Sequence, residues 1–220
     1  MAGSDFCARH ILRHLHQPAQ TPFFWTREQR GEEASTWLLF RHKYAYLRET
    51  SRRFGGREDP LVRAFCLPEG TAQETPRWER LLLFLAIALM ESLGIKVLVS
   101  AEPQHAGLQG FVRQAQHRVI IANWVRADGI WFVDATERRG VVRKFADAAA
   151  HVNTYSAIDG PGAQERLRSL ASYLTLDWDW LRQRCQDLAA AGWAGFAKPR
   201  SRLLSVDALD AACGYVGGLR

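Results

Sequence analysis

Apolar residues follow one another without a break in the run Leu81-Leu82-Leu83-Phe84-Leu85-Ala86-Ile87-Ala88-Leu89-Met90. A helix with no polar side is enclosed on every face, so this stretch predicts a buried central helix. Thr75 reads as its N-cap, Pro76 as its first helical position and Gly94 as its stop. The period then changes from helical to alternating. Strands are predicted over 95–99, more weakly over 111–114, and over 117–125. In the last of these Val119, Ile121 and Val125 share one face and Ile120, Ala122 and Trp124 the other, the pattern of a strand inside its sheet. Asp128-Gly129 is a two-residue hairpin signal that returns the chain over 130–134. That turn would set Arg126 against Trp131, Trp124 against Val133 and Asn123 against Asp134.

The remaining patterns are mainly helical. A short helix is predicted over 6–15. A long one is predicted over 26–53, with Trp37, Phe40, Tyr44 and Leu47 in its buried stripe, which Phe54 continues. Between them Thr21-Pro22-Phe23-Phe24-Trp25 is an extended aromatic segment that docks on the core. Residues 61–67 form a short apolar element containing Cys66, and 68–74 a loop. Residues 141–158 read as a helix or an edge segment. Gly160-Pro161-Gly162 is the best boundary in the chain. Beyond it lie helices over 163–174, 178–191 and 206–216, the last capped by Ser205. The fold class is α+β. Residues 1–159 make a core, with a helical N-terminal part over 1–74 and a helix on a small antiparallel β-sheet over 75–140. Residues 160–220 form a helical segment packed on it.

Composition narrows the function classes. The chain has 220 residues, 47% hydrophobic and 24% charged, suited to one domain or a domain with an appendage. Its net charge is +6, almost all of the cations being arginine. A high-GC bacterial genome gives that bias without selection. A basic balance permits nucleic acid or an acidic partner without requiring either. The apolar run is flanked by Arg77, Arg80 and Glu91 and is too short to span a bilayer, which argues against a membrane. The N-terminus lacks an apolar signal segment, and Cys7, Cys66, Cys185 and Cys213 have no CxxC spacing. Four free thiols in a reducing cytoplasm are expected. His10 and His14 have metal-ligand spacing, but no HExxH and no suitable carboxylate accompanies them. No metal and no cofactor is expected.

The block from the helix to Trp131-Phe132-Val133-Asp134-Ala135-Thr136 resembles the transglutaminase-like branch of the papain-type cysteine hydrolases. The resemblance rests on a buried helix, on Gly94-Ile95 leading into a strand, and on a hairpin closing with Trp, apolar residues and Asp-x-Thr. It covers about sixty residues. It implies a Cys at the helix start, a His on the later strand and an orienting Asp. Only Asp134 is in place. Arg77, Trp78 and Glu79 occupy the start of the helix, Ile120 falls at the His position, and His117 lies three residues off. The resemblance therefore implies a scaffold without its chemistry. Trp78, Asn123, Trp131 and Asp134 are its candidate ligand-binding residues.

The stretch Leu170-Ala171-Ser172-Tyr173-Leu174-Thr175-Leu176-Asp177-Trp178-Asp179-Trp180-Leu181 resembles a helix-turn-helix. Arg182, Gln183 and Arg184 are then candidates for reading nucleic acid. Thr175 stands where the turn prefers Gly, and Asp177, Asp179 and Asp187 repel phosphate. Three functions follow. The first is a non-catalytic regulatory protein binding a small molecule or a protein partner. The second is a DNA-binding transcription regulator. The third is an active cysteine hydrolase with its nucleophile elsewhere. The oligomeric state stays open.

Overall fold

The computed structural model describes residues 2–15, 21–26, 41–114, 117–125, 130–192 and 205–220, with the side chains of 2–6, 123–125 and 130–132 left aside. The described residues are an α+β fold: eight α-helices and a six-stranded mixed sheet. The helices are α1 (Ala2–His14), α2 (Arg41–Phe54), α3 (Glu69–Glu74), α4 (Arg77–Ser92), α5 (Arg139–Thr154), α6 (Ala163–Tyr173), α7 (Trp178–Ala191) and α8 (Val206–Gly217). The strands are β1 (Phe23–Thr26), β2 (Leu61–Cys66), β3 (Ile95–Ser100), β4 (Gly110–Gln114), β5 (Arg118–Val125) and β6 (Ile130–Thr136), in the order β3-β2-β1-β4-β5-β6.

Half of this sheet is parallel, which corrects the small antiparallel sheet expected above. β1 pairs with β2 and β2 with β3 in parallel, whereas β1–β4, β4–β5 and β5–β6 are antiparallel. The reason is in the connections. Parallel neighbours need a crossover long enough to hold a helix. The link from β1 to β2 carries α2, and that from β2 to β3 carries α3 and α4. The aromatic segment 21–25 and the apolar element 61–67 are thus strands of the same sheet.

The hairpin register also differs. Val125 faces Ile130, Asn123 faces Phe132, and Asp134 faces Ile121 rather than Asn123. The connection is the four residues 126–129, not two, so each pairing moves by two. A shift of two keeps every side chain on its face.

By contacts the chain forms two units. One contains 1–28, 49–68 and 94–156, and with them the whole sheet, α1 and α5. One core cluster lies on one face of the sheet, and Phe24, Val112 and Ile120 on the other face are buried as well. In that cluster Phe23, Trp25, Ala64, Cys66, Leu98, Phe111, Val119 and Ile121 pack with Phe145, Ala148, Ala149 and Val152 of α5. Trp25 stacks on Phe111 with centroids 5.7 Å apart, and Phe111 meets Phe145 at 4.5 Å. α1 packs along β5 and β6.

The other unit contains 29–48, 69–93 and 157–220. In it α4 packs on α6 and α8, and α8 on α7. The greasy helix is enclosed only in its second half. Phe84 and 86–91 are buried, while Trp78 is 46% exposed. Gly94 ends α4 with φ +73°, the left-handed conformation that makes Gly the natural stop. Thr75 does not cap α4. Residues 69–74 are a helix rather than a loop, and the Thr75 hydroxyl donates to its Thr71 carbonyl at 2.6 Å. Ser205 caps α8 as expected, accepting from Ala208 N. Glu91 is buried at the end of α4 and takes two bonds from Arg166 of α6, at 2.9 and 2.6 Å. A buried carboxylate is tolerated because this bidentate guanidinium neutralises it.

Candidate functional site at the carboxyl ends of the parallel strands

In sheets with parallel strands, side chains beyond the carboxyl ends converge because every strand points the same way. Here β1, β2 and β3 end at Thr26, Cys66 and Ser100, with Cys66 and Ser100 paired in register. The chain leaving β3 folds back at once. Pro103–His105 is a 3-10 turn, and His105 N donates to Glu102 O at 2.9 Å. The Glu102 carbonyl also accepts from the Cys66 thiol, at 3.2 Å. Ser100 Oγ accepts the Glu102 N–H at 3.3 Å and lies 2.7 Å from His105 Nδ1. A hydroxyl has one donor and two acceptor sites, so with the Glu102 N–H bound Ser100 Oγ either donates to Nδ1 or accepts from it, according to the His105 tautomer.

α5 brings the second imidazole. Its end is fixed to the sheet by Ser156, whose Oγ accepts from Val99 N at 3.1 Å. β3 is an edge strand, and this bond occupies one of its outward N–H groups. His151, one turn earlier, meets His105 edge to face at 5.1 Å and lies 5.1 Å from the Tyr155 ring. Its Nε2 is 3.8 Å from Glu102 Oε1, an ion-pair distance too long for a hydrogen bond. Trp25 closes the inner side, its ring edge-on to His105 at 5.7 Å. The result is a file of rings, Trp25–His105–His151–Tyr155, running from the core to the exposed Tyr155, with Glu102 beside it.

Two buried nitrogens in this file, Trp25 Nε1 and His151 Nε2, have no hydrogen-bond partner among the described residues. Buried polar atoms are normally satisfied, and each one left over costs about 1–3 kcal/mol. The two nucleophile-type side chains are placed differently. Ser100 is fully buried and Cys66 is 3% exposed, and both are held by the hydrogen bonds just described.

Burial pushes the His105 imidazole below its ordinary range; the neighbouring His151 adds to this and Glu102 opposes it. The sign for stability follows by linkage. With the folded value below the unfolded one, acid protonates the unfolded chain first. Stability is full above about pH 6.5 and falls as pH drops through the folded value. Urea denaturation at stepped pH should show this acid-side loss, with a smaller slope in His105→Gln. An equal slope in the variant would rule His105 out as its source.

No protein-family model, curated protein or solved structure matches the chain.

The residues singled out by sequence lie elsewhere. Asn123 and Trp131 are on β5 and β6, their side chains outside the described set. Asp134 is exposed on β6, so water solvates its carboxylate. Trp78 is exposed on α4, in the helical unit. His117, between β4 and β5, is exposed.

In the helix-turn-helix-like segment, Thr175 adopts φ +50°, the conformation a turn glycine would take. Arg80 steadies it, donating to Leu174 O at 2.7 Å and to the Thr175 hydroxyl. Asp177 caps α7 by accepting from Trp180 N. Arg182 donates to Leu219 O at 3.1 Å, Gln183 to Asp187 at 2.9 Å, and Arg184 stands 3.8 Å from Asp187. All three are drawn onto their own unit. Another basic hollow, bounded by Leu15, Arg52, Arg53 and Phe54, is neutralised in the same way. Both of its arginines bond Glu49, whose carboxyl they hold down at about 2.

Sequence reasoning missed Cys66, Ser100, Glu102, His105 and His151 as a group. The available signal was the alternation of strand and helix from 21 to 100, which predicts parallel strands with aligned ends.

Proposed function

We propose that this chain is a non-catalytic, regulatory binding protein whose ligand sits at the carboxyl ends of β1–β3. One observation carries the reading: Trp25 Nε1 and His151 Nε2 are buried without a hydrogen-bond partner among the described residues, beside a half-exposed imidazole. A ligand acceptor would satisfy Trp25 Nε1–H, and further polar groups of the same ligand would satisfy His151 Nε2 and bond His105 Nε2. The Glu102 carboxylate, 46% exposed at the rim, disfavours an anion. The ligand class is therefore a small neutral molecule carrying amide or hydroxyl groups. Catalysis is disfavoured because Ser100 and Cys66 are enclosed and already hydrogen-bonded.

The transglutaminase-like kinship stays part of this proposal, with Arg77, Trp78 and Glu79 where its sulfur would be. Four free thiols suit a reducing cytoplasm. Among the described residues no helix is long and apolar enough to cross a membrane.

The test is NMR of the indole N–H and histidine ring signals during titration with small amides, polyols and carboxylates. Amides or polyols should shift Trp25, His105 and His151 together. His105→Phe should weaken that binding by roughly three- to tenfold, the loss of one hydrogen bond. Shifts confined to other residues, or tighter binding of carboxylates, would contradict the proposal.

A further inference from the structure

A cluster of cations lies at the end of the sheet away from the ring file. β4 runs antiparallel to β1, so its last residues lie beside Phe23, where β1 begins. β6 ends there too. α5 starts directly after it, with Arg138 N donating to Thr136 Oγ1 at 3.3 Å. The first turns of α5 place Val142 and Phe145 in the core and leave Arg139, Arg143 and Lys144 exposed, with Arg138 exposed just before them. Arg118, half-buried, opens β5 at the same end. The carboxylates along this stretch are Glu137 and Asp147. Asp147 stands 4.0 Å from Arg143 with both side chains in solvent, a pair that contributes little. Among the described residues no carboxylate pairs with Arg118, Arg138, Arg139 or Lys144. Arg52, Arg53, Arg182 and Arg184 differ in this respect, since groups of their own unit hold them.

Arg113 of β4 adds a second observation. It shares the sheet face of Phe111, the face that α5 covers. Val119 stands between Arg113 and Thr136 in register, so about 10 Å separates those two backbones. Arg113 is half-buried, and its Nε is enclosed without a hydrogen-bond partner among the described residues. Burial pushes its guanidinium below the ordinary arginine range, and no carboxylate opposes this. A charge drawn partly out of water without a counter-ion costs free energy that an arriving anion would recover.

We propose that this end of the sheet docks the phosphate backbone of double-helical nucleic acid, held by Arg138, Arg139, Arg143 and Lys144 and by Arg113 and Arg118 of the strands. Charge density selects such a polyanion. Arg139 and Arg143 stand one turn apart, about 6 Å along the helix. A duplex offers one negative charge per about 1.7 Å of its axis, enough to face every cation of the cluster at once. All but Lys144 are arginines, whose planar fork bonds phosphate oxygens in pairs. Unpaired bases need an aromatic platform, and a membrane needs an apolar wedge. Among the described residues of this unit the exposed large apolar side chain is Tyr155, at the far end of the sheet. Contacts to the backbone carry no sequence information, so the binding is general rather than site-specific.

The test is fluorescence anisotropy of the full chain with a labelled DNA duplex of about 20 base pairs, at salt from about 50 to 200 mM. Micromolar binding at the lowest salt is expected, alike for two unrelated sequences. The logarithm of the affinity should fall against that of salt with a slope of about −4 to −5, the value for roughly five phosphates. Arg139→Gln/Arg143→Gln changes two exposed side chains and leaves the core alone. It should weaken binding about tenfold or more and flatten the slope by about two, with an unchanged circular dichroism spectrum. Arg184→Gln should alter neither affinity nor slope. No binding at the lowest salt, unchanged binding in the double variant, or tighter binding of the single strand, of polyglutamate or of phosphatidylserine vesicles would overturn the proposal.

Discussion

Arg166→Ala should destabilise the helical unit by about 3–5 kcal/mol, the usual result of stripping one partner from a buried ion pair. The Glu91 side chain is 2% exposed and that of Arg166 9%. Removing the guanidinium leaves a carboxylate in the interior with its main counter-charge gone. It also releases the Gly160 and Pro161 carbonyls, which accept from Arg166 at 3.2 and 3.3 Å and hold the turn into α6. The double variant Glu91→Leu/Arg166→Met should recover most of the loss, because an apolar pair of similar volume needs no desolvation of charge. Urea denaturation followed by circular dichroism measures both. A single-variant loss under about 1 kcal/mol would show that Glu91 is served by other groups.

Phe145→Ala should cost about 3–5 kcal/mol in the sheet unit, from lost burial and the cavity left behind. Phe145 is 2% exposed and lies against Phe111, which lies in turn against Trp25. The same helix carries His151. Loosening α5 should therefore disturb the ring file as well as the core, and the His105 and His151 ring signals should broaden or shift. Unchanged ring signals alongside a large loss of stability would show that the end of α5 is held by Ser156 alone.

Local patterning made most elements legible. α4, β3, β5, β6 and all three C-terminal helices follow from apolar period, caps and turn glycines. What failed was pairing. Nothing in residues 61–67 alone separates a strand from a short helical turn, and Phe23-Phe24-Trp25 gives only three residues of pattern. Their parallel partnership depends on crossovers tens of residues long. The site went unseen for the same reason. Cys66, Ser100 and His151 belong to three elements, and only sheet order brings them together. Glu91 was visible as a charge at the end of an apolar run. Its meaning, a demand for a buried cation, was a legible signal that pointed to Arg166 only once α6 was in place. The orienting acid of the resembled hydrolases, Asp134, sits on an edge strand open to water, where local motif gives no information about burial.

The central claim is that the strand-end site binds without reacting. Incubating the folded protein at pH 7 with a fluorophosphonate and, separately, with iodoacetamide tests it, with intact mass and peptide mapping as the readout. The account predicts no adduct on Ser100 or Cys66 until the protein is unfolded. Labelling of either residue in the folded state, abolished by His105→Ala, would contradict it.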